Sequence, residues 1–303
     1  MPKIGISSYC LVGPLERGEM TLPDVMRWAK DSGADHIELV PFGFTLLDNE
    51  TLCREVLETS KELSLPLSNY AISADVLKWD EEERRAEIQM IKAHVDVAAR
   101  LGISLMRHDI ASFARTKEQN TAANFEKEFF MMVEAAAEVA DYAARYGITT
   151  MVENHGFFVN GSDRILRLVE AVGRPNFKMC LDTGNLLCMD EPPETSIRKC
   201  LPYAGMIHFK DFYIRRKDRL AGLHGPFDCR AGGWLESLGG RMLRGSILGQ
   251  GDIDVVSIAG DIRDCGYDGY ISLEFEGIEE CRAATYTGLQ TLKNLFADAP
   301  APV

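Results

Sequence analysis

The sequence predicts an α/β chain folded as one (β/α)8 TIM barrel, and three observations predict it. Eight short β-rich runs alternate with longer amphipathic ones, the pattern of a parallel sheet with helical crossovers. No proline- or glycine-rich linker splits the 303 residues, and barrels of this length are usually single domains. No run leads into Gly-x-Gly-x-x-Gly or another phosphate-cradling glycine loop, which disfavours the rival, a doubly wound open sheet.

The runs, in order, are Lys3–Ser8, His36–Pro41, Leu65–Ile72, Leu105–Ile110, Thr149–Asn154, Lys178–Asp182, Gly205–Lys210 and Tyr270–Phe275. Between the first two lies "TLPDVMRWAKDSG", a helix pattern with Thr21 as its N-cap and Gly33 as its stop. The alanine-rich stretch from Asn120 to Tyr146, ended by Gly147, is the strongest helix signal in the chain. Spacing is regular from Glu153 to Asp182 and on to His208, but 66 residues then separate His208 from Glu274. The surplus sits in an extended loop between the seventh and eighth strands, residues 212–250, the kind of segment that serves as lid, binding loop or subunit contact. It carries seven Lys/Arg against three Asp/Glu, a local excess that suggests an anionic or polar ligand or pairing with a neighbouring subunit. The barrel is assigned to 1–298 and a flexible tail to 299–303.

Composition bounds the function. A formal charge of -13 with 46% hydrophobic residues fits a soluble globular chain and argues against nucleic-acid or anionic-membrane partners. Eight scattered cysteines without a CxxC pair suit a reducing compartment and core packing. No apolar run reaches the length of a membrane span, and the N-terminus lacks a cleavage signature, so a cytoplasmic protein is expected. A homo-oligomer, dimer or tetramer, is expected as well.

Four strand ends carry the chemistry. The fifth run ends "MVENHG", the sixth "CLDTGN", the seventh "MIHFKD" and the eighth "SLEFEG". Each turns from apolar to polar at its C-terminal end, the end that builds the active rim of a barrel. Glu153, Asp182, His208 and Glu274 therefore converge. Three carboxylates on one rim repel one another unless a cation lies between them. Oxygen ligands with one nitrogen suit a single divalent ion, Mn2+ first, with Mg2+, Co2+ or Zn2+ also compatible. Side chains two apart on a strand share a face, which adds His155, Gly184, Lys210 and Glu276 to the same side. Arg107 and His108 on the fourth strand, with Tyr9 and Glu38 on the first two, are further rim candidates.

At these residues the chain resembles the xylose-isomerase-like barrel superfamily, in its sugar-phosphate isomerase/epimerase branch. "IGISSY", "VENHG", "CLDTGN", "IHFKD", "GQGDIDV" and "GYDGYISLEFEG" carry the resemblance. It implies a metal held by Glu153, Asp182, His208 and Glu274, with the two glutamates also handling protons. Asn185 stands where ketose epimerases of this group tend to have histidine. Ile214, with Arg215 one residue later, stands where they tend to have arginine. The expected activity is a metal-dependent isomerase or epimerase on a keto sugar or sugar phosphate, acting through an enediolate. Catalysis is assigned to Glu153, Glu274 and His155, and substrate binding to Arg107, His108, Asn185, Lys210, Arg215 and Glu276. The alternative is a lyase or dehydratase on an oxidised sugar, polyol or glycoside, with His155 as its acid or base. Six histidines are too few for the three-zinc cluster of the superfamily's endonucleases.

Overall fold

A computed structural model describes residues 1–116, 118–220 and 233–297. The tail at 299–303 and, within the long loop, His224, Cys229 and Arg230 lie outside the described residues. Eight parallel strands close in the order β1 (Lys3–Ser7), β11 (Tyr270–Leu273), β7 (Ala204–Phe209), β6 (Phe177–Asp182), β5 (Thr149–Glu153), β4 (Leu105–His108), β3 (Leu67–Ile72) and β2 (Ile37–Leu39). Helices α2 (Leu22–Asp31), α3 (Glu50–Leu63), α4 (Glu81–Arg100), α5 (Ala122–Ala144), α6 (Ser162–Val172), α7 (Pro193–Cys200), α8 (Val255–Asp264) and α9 (Cys281–Phe296) connect or follow the staves, after a short α1 (Val12–Glu16).

Local chemistry sets these elements. Thr21 accepts from the Asp24 amide while Asp24 accepts from the Thr21 amide, a reciprocal cap that starts α2. Thr121, Asp80 and Asn49 cap α5, α4 and α3 in the same single-sided way. After α5 the chain turns at Gly147 with φ of 69°, a left-handed conformation that costs glycine little.

Strand alternation divides the interior. One face of each stave packs under the helices in a continuous apolar core that includes Ile6, Leu39, Ile207 and Leu273. On the opposite face Met151, Cys180 and Met206, with Leu105 and Tyr270 beside them, form a separate cluster inside the barrel. Met151, Cys180 and Met206 each lie two residues before Glu153, Asp182 and His208. The apolar cluster is thus the floor beneath the polar ends, as barrel layering requires.

The long loop is more ordered than its sequence suggested. It contains β8 (Asp211–Arg216), β9 (Leu235–Glu236) and β10 (Arg241–Ser246), an antiparallel sheet in the order β8-β10-β9. The register of β10 against β8, from Arg241 opposite Arg216 to Ser246 opposite Asp211, defines it. The "GQGDID" segment that follows is fastened by Asp211, whose carboxylate accepts from the amides of Gly249, Gly251 and Ile253. A Cβ on Gly251 would lie 2.2 Å from Asp211 Oδ1, so only glycine permits that approach.

Candidate metal centre

Register steps the four strand ends around the rim, with Asp182 and His208 paired and Glu153 and Glu274 each offset by two residues. Asp182 pairs with His208, which pairs with Ser272, and Glu274 follows β11 directly. Glu153 pairs with Cys180, two residues before Asp182. One ligand atom from each of Glu153, Asp182, His208 and Glu274 lies within 4.8 Å of the other three. All four are buried.

The cluster is short of positive charge. Around it stand Glu38, Asp109, Glu153, Asp182, Glu274 and Glu276 against Arg107 and Lys210. Carboxylates exceed these two cations by four, an excess that a protonated His208 offsets only in part and that burial makes costly. Burial pushes Asp182 up to about 7, with Glu153 and Glu274 adding to the effect and Lys210 opposing it. Burial works against a charged His208, yet Glu38, Glu274 and Glu153 hold its pKa well above the usual imidazole range.

The donor set fits a divalent ion. His208 Nε2 lies 3.0 Å from the Glu38 carboxylate, and Glu38 itself accepts from Asn69 Nδ2 at 2.8 Å. In the neutral imidazole that pairing assigns the proton to Nε2 and turns the Nδ1 lone pair toward Glu153 and Glu274, 3.6 and 3.5 Å away. His208 Nδ1 and Asp182 Oδ2 are buried with no hydrogen-bond partner, and such orphans call for an explanation. A cation among the four ligands supplies one.

The two glutamates differ. Glu153 Oε2 accepts from Arg107 Nε at 2.6 Å and Oε1 from Asn185 Nδ2 at 2.9 Å. Burial alone would raise its pKa, but Arg107 and then His208 hold the carboxyl well below the usual carboxylate range. Glu274 meets Lys210 Nζ at 2.8 Å. Burial raises its pKa and Lys210 and His208 lower it, with a smaller net fall.

The other expected site residues separate into two groups. His155, Arg107, Lys210 and Glu276 line a cavity of about 90 Å³ over the cluster, together with Tyr9, Phe42, Glu153 and Glu274. His155 Nδ1 lies 3.2 Å from Asp109 Oδ1 and its ring rests against Phe113 at 5.3 Å. Asn185 binds both Glu153 and, through its amide, Asp182 Oδ1. His108 faces the other side of β4, near Phe177, and does not line the cavity. Arg215 lies on the outer surface, paired with Asp252 at 2.6 Å, as Arg241 is with Asp190. Gly184 stands against Lys210 and Phe212, whose atoms a Cβ there would meet at 2.5 and 2.8 Å. Asp109 and Asn69 were not foreseen. Asp109 shares the strand parity of Arg107, and Asn69 that of Ala71 in the cavity wall; this was the available signal.

Residues 26–295 match the family model described as xylose isomerase-like TIM barrel. The probable 3-DHS dehydratase AsbF, involved in petrobactin synthesis, from Bacillus anthracis, is similar with a TM-score of 0.73 and 19% identity over 97% of this chain and 99% of that one. The 3-keto-D-glucoside 4-epimerase YcjR from E. coli gives 0.71 and 16% over 97% and 100%. A xylose isomerase-like TIM barrel protein from Mycobacterium smegmatis, in complex with magnesium, gives 0.69 and 16% over 98% of each chain. At these identities the likeness is one of fold. No curated protein matches the sequence.

Proposed function

This chain belongs to the xylose isomerase-like TIM barrel family, and from that premise we propose that it is a divalent-metal-dependent isomerase or epimerase of keto sugars. The observation that carries the reading is the buried quartet of Glu153, Asp182, His208 and Glu274, with the His208 Nδ1 lone pair aimed into it. A divalent ion held there, Mn2+ in our reading, would polarise a substrate carbonyl and stabilise the negative charge that develops on its oxygen.

The chain's own residues divide the remaining work. Glu153 has both oxygens engaged and a depressed pKa, which makes it a ligand and a weak base. Glu274 is tied through Lys210 and faces the cavity, so it is the carboxylate placed to take a proton from the carbon next to the carbonyl. His155, held by Asp109, returns a proton to the other face in epimerisation or to the neighbouring carbon in isomerisation. Lys210 also lines the cavity and orients Glu274.

A second reading, a lyase or dehydratase on an oxidised sugar, polyol or glycoside, is favoured by the Asp109–His155 pair. With Nδ1 on Asp109, Nε2 is left to protonate a departing oxygen as the carbon–oxygen bond breaks. The likeness to AsbF, named a probable dehydratase, agrees with it.

The test is incubation of Mn2+-loaded protein with ketoses and 3-keto sugars in deuterated water. Deuterium entering the substrate without loss of a group supports the first reading; release of water or an aglycone supports the second. Glu274→Gln is expected to abolish either turnover, and a variant near the wild-type rate would sink the proton assignment.

A further inference from the structure

Resting on that reading, we propose that the substrate is uncharged and has two parts. A keto-sugar unit lies over the metal quartet, and a second unit with an apolar face lies in an adjoining cleft. The cavity over the quartet is small, about 90 Å³, and beside it opens a cleft of about 380 Å³. Tyr9 and Glu276 line both hollows, so the two adjoin across these side chains. A monosaccharide occupies only the first.

Charge excludes a phosphate. Both cations of the cavity are already engaged by the protein. Arg107 binds Glu153 through Nε and Nη2, and its Nη1 meets the Ile72 carbonyl and Asp109. Lys210 Nζ is surrounded by Glu274, Glu276 and Asp182 at 2.8, 3.2 and 3.4 Å. In the cleft, Arg17 binds Glu19 through Nε and Nη2 at 2.6 and 3.0 Å, and the acidic Glu276, Glu279 and Glu280 share the lining. A phosphoryl group needs free donors and positive charge. Among the described residues the lining offers a surplus of carboxylates instead. Of the basic residues of the long loop, Arg215, Arg216, Lys217 and Arg241 each pair with a local carboxylate, and Arg244 lies over the Tyr213 and Trp234 rings.

The walls suit an apolar face. Phe42 is 41% exposed at the cavity and Ile278 is 50% exposed at the cleft, one large apolar side chain at the wall of each hollow. Tyr9 lines both hollows and meets Phe42 edge to face at 5.8 Å, which sets an aromatic pair where the two adjoin.

Titration calorimetry on the Mn2+-loaded protein tests this with four probes: 3-keto-glucose, its 6-phosphate, and its methyl and phenyl β-glycosides. The phenyl glycoside is expected to bind about tenfold more tightly than the methyl glycoside. The 6-phosphate is expected to bind at least about tenfold more weakly than 3-keto-glucose. Ile278→Asp is expected to reduce the phenyl-to-methyl ratio toward one. Equal or tighter binding of the phosphate, a phenyl group that adds nothing, a ratio unmoved by Ile278→Asp, or no binding by any probe would overturn the inference. Deuterium exchange in the same samples reports separately on the reaction. Exchange without a phenyl preference sinks the two-part substrate alone, whereas a phenyl preference without exchange or group release sinks the proposed reaction alone.

Discussion

The two halves of the barrel end in different chemistry. β5, β6, β7 and β11 end in the four groups that converge within 4.8 Å. The staves of the first half, β2, β3 and β4, present Glu38, Asn69, Arg107 and Asp109 at the same rim, yet each of these reaches toward a neighbour. Glu38 takes His208, Asn69 takes Glu38, Arg107 takes Glu153, and Asp109 takes His155. The later half supplies the four groups that could hold a metal ion, and the earlier half provides their hydrogen-bond and charge partners, the arrangement by which outer groups tune inner ones.

Five substitutions break or sharpen that contrast. The largest effect is expected from the later half. His208→Ala and Asp182→Asn each remove a ligand, and calorimetric titration with Mn2+ should show affinity falling on the order of a thousandfold, with loss of turnover. Affinity close to wild type in either would dissolve the quartet. Next comes Arg107→Met, which leaves Glu153 buried and uncompensated. Denaturant unfolding of metal-free protein should show a loss of about 3–5 kcal/mol, partly restored when Mn2+ is added. A loss that Mn2+ leaves untouched would mean that Arg107 acts only on the fold. Glu38→Gln keeps the shape but withdraws the charge behind His208, so metal affinity should drop about 10–100-fold. If it holds steady, the earlier half does not tune the site. The smallest effect is expected outside both halves. Arg215→Ala removes a solvent-exposed ion pair with Asp252, and stability should change by no more than about 0.5 kcal/mol. An effect on turnover above about twofold would restore Arg215 to the substrate site.

Legibility followed the same division. The quartet could be read because each member ends an apolar run, and period-two alternation states which face a side chain takes. His155, Lys210 and Glu276 followed by parity alone. Glu38 was visible as a rim candidate, but its partner was not, since His208 lies 170 residues away. Arg107 was assigned to substrate, whereas its guanidinium is committed to Glu153, 46 residues on. Arg215 stood out by its place after the seventh strand, but β8 pairs with β10 and directs it outward to Asp252. The long loop was read as one extended segment because its short strands lack a period-two pattern, and only their pairing in the sheet defines them.

Periodicity and composition belong to single segments, so the amino-acid order alone determined the eight staves, their helices and the polar ends that gather on one rim. Which charged group answers which is a property of adjacency around the closed sheet. Closure brings β1 against β11 and lets Glu38 of β2 reach across to His208 of β7. Only the tertiary structure decided that Glu153 is held at both oxygens while Glu274 is held through Lys210. Only it decided that Arg215 and Arg241 of the long loop pair with Asp252 and Asp190 instead of the carboxylates of the cavity. Parity gives the direction of a side chain, and the distance to its partner is fixed when the barrel closes.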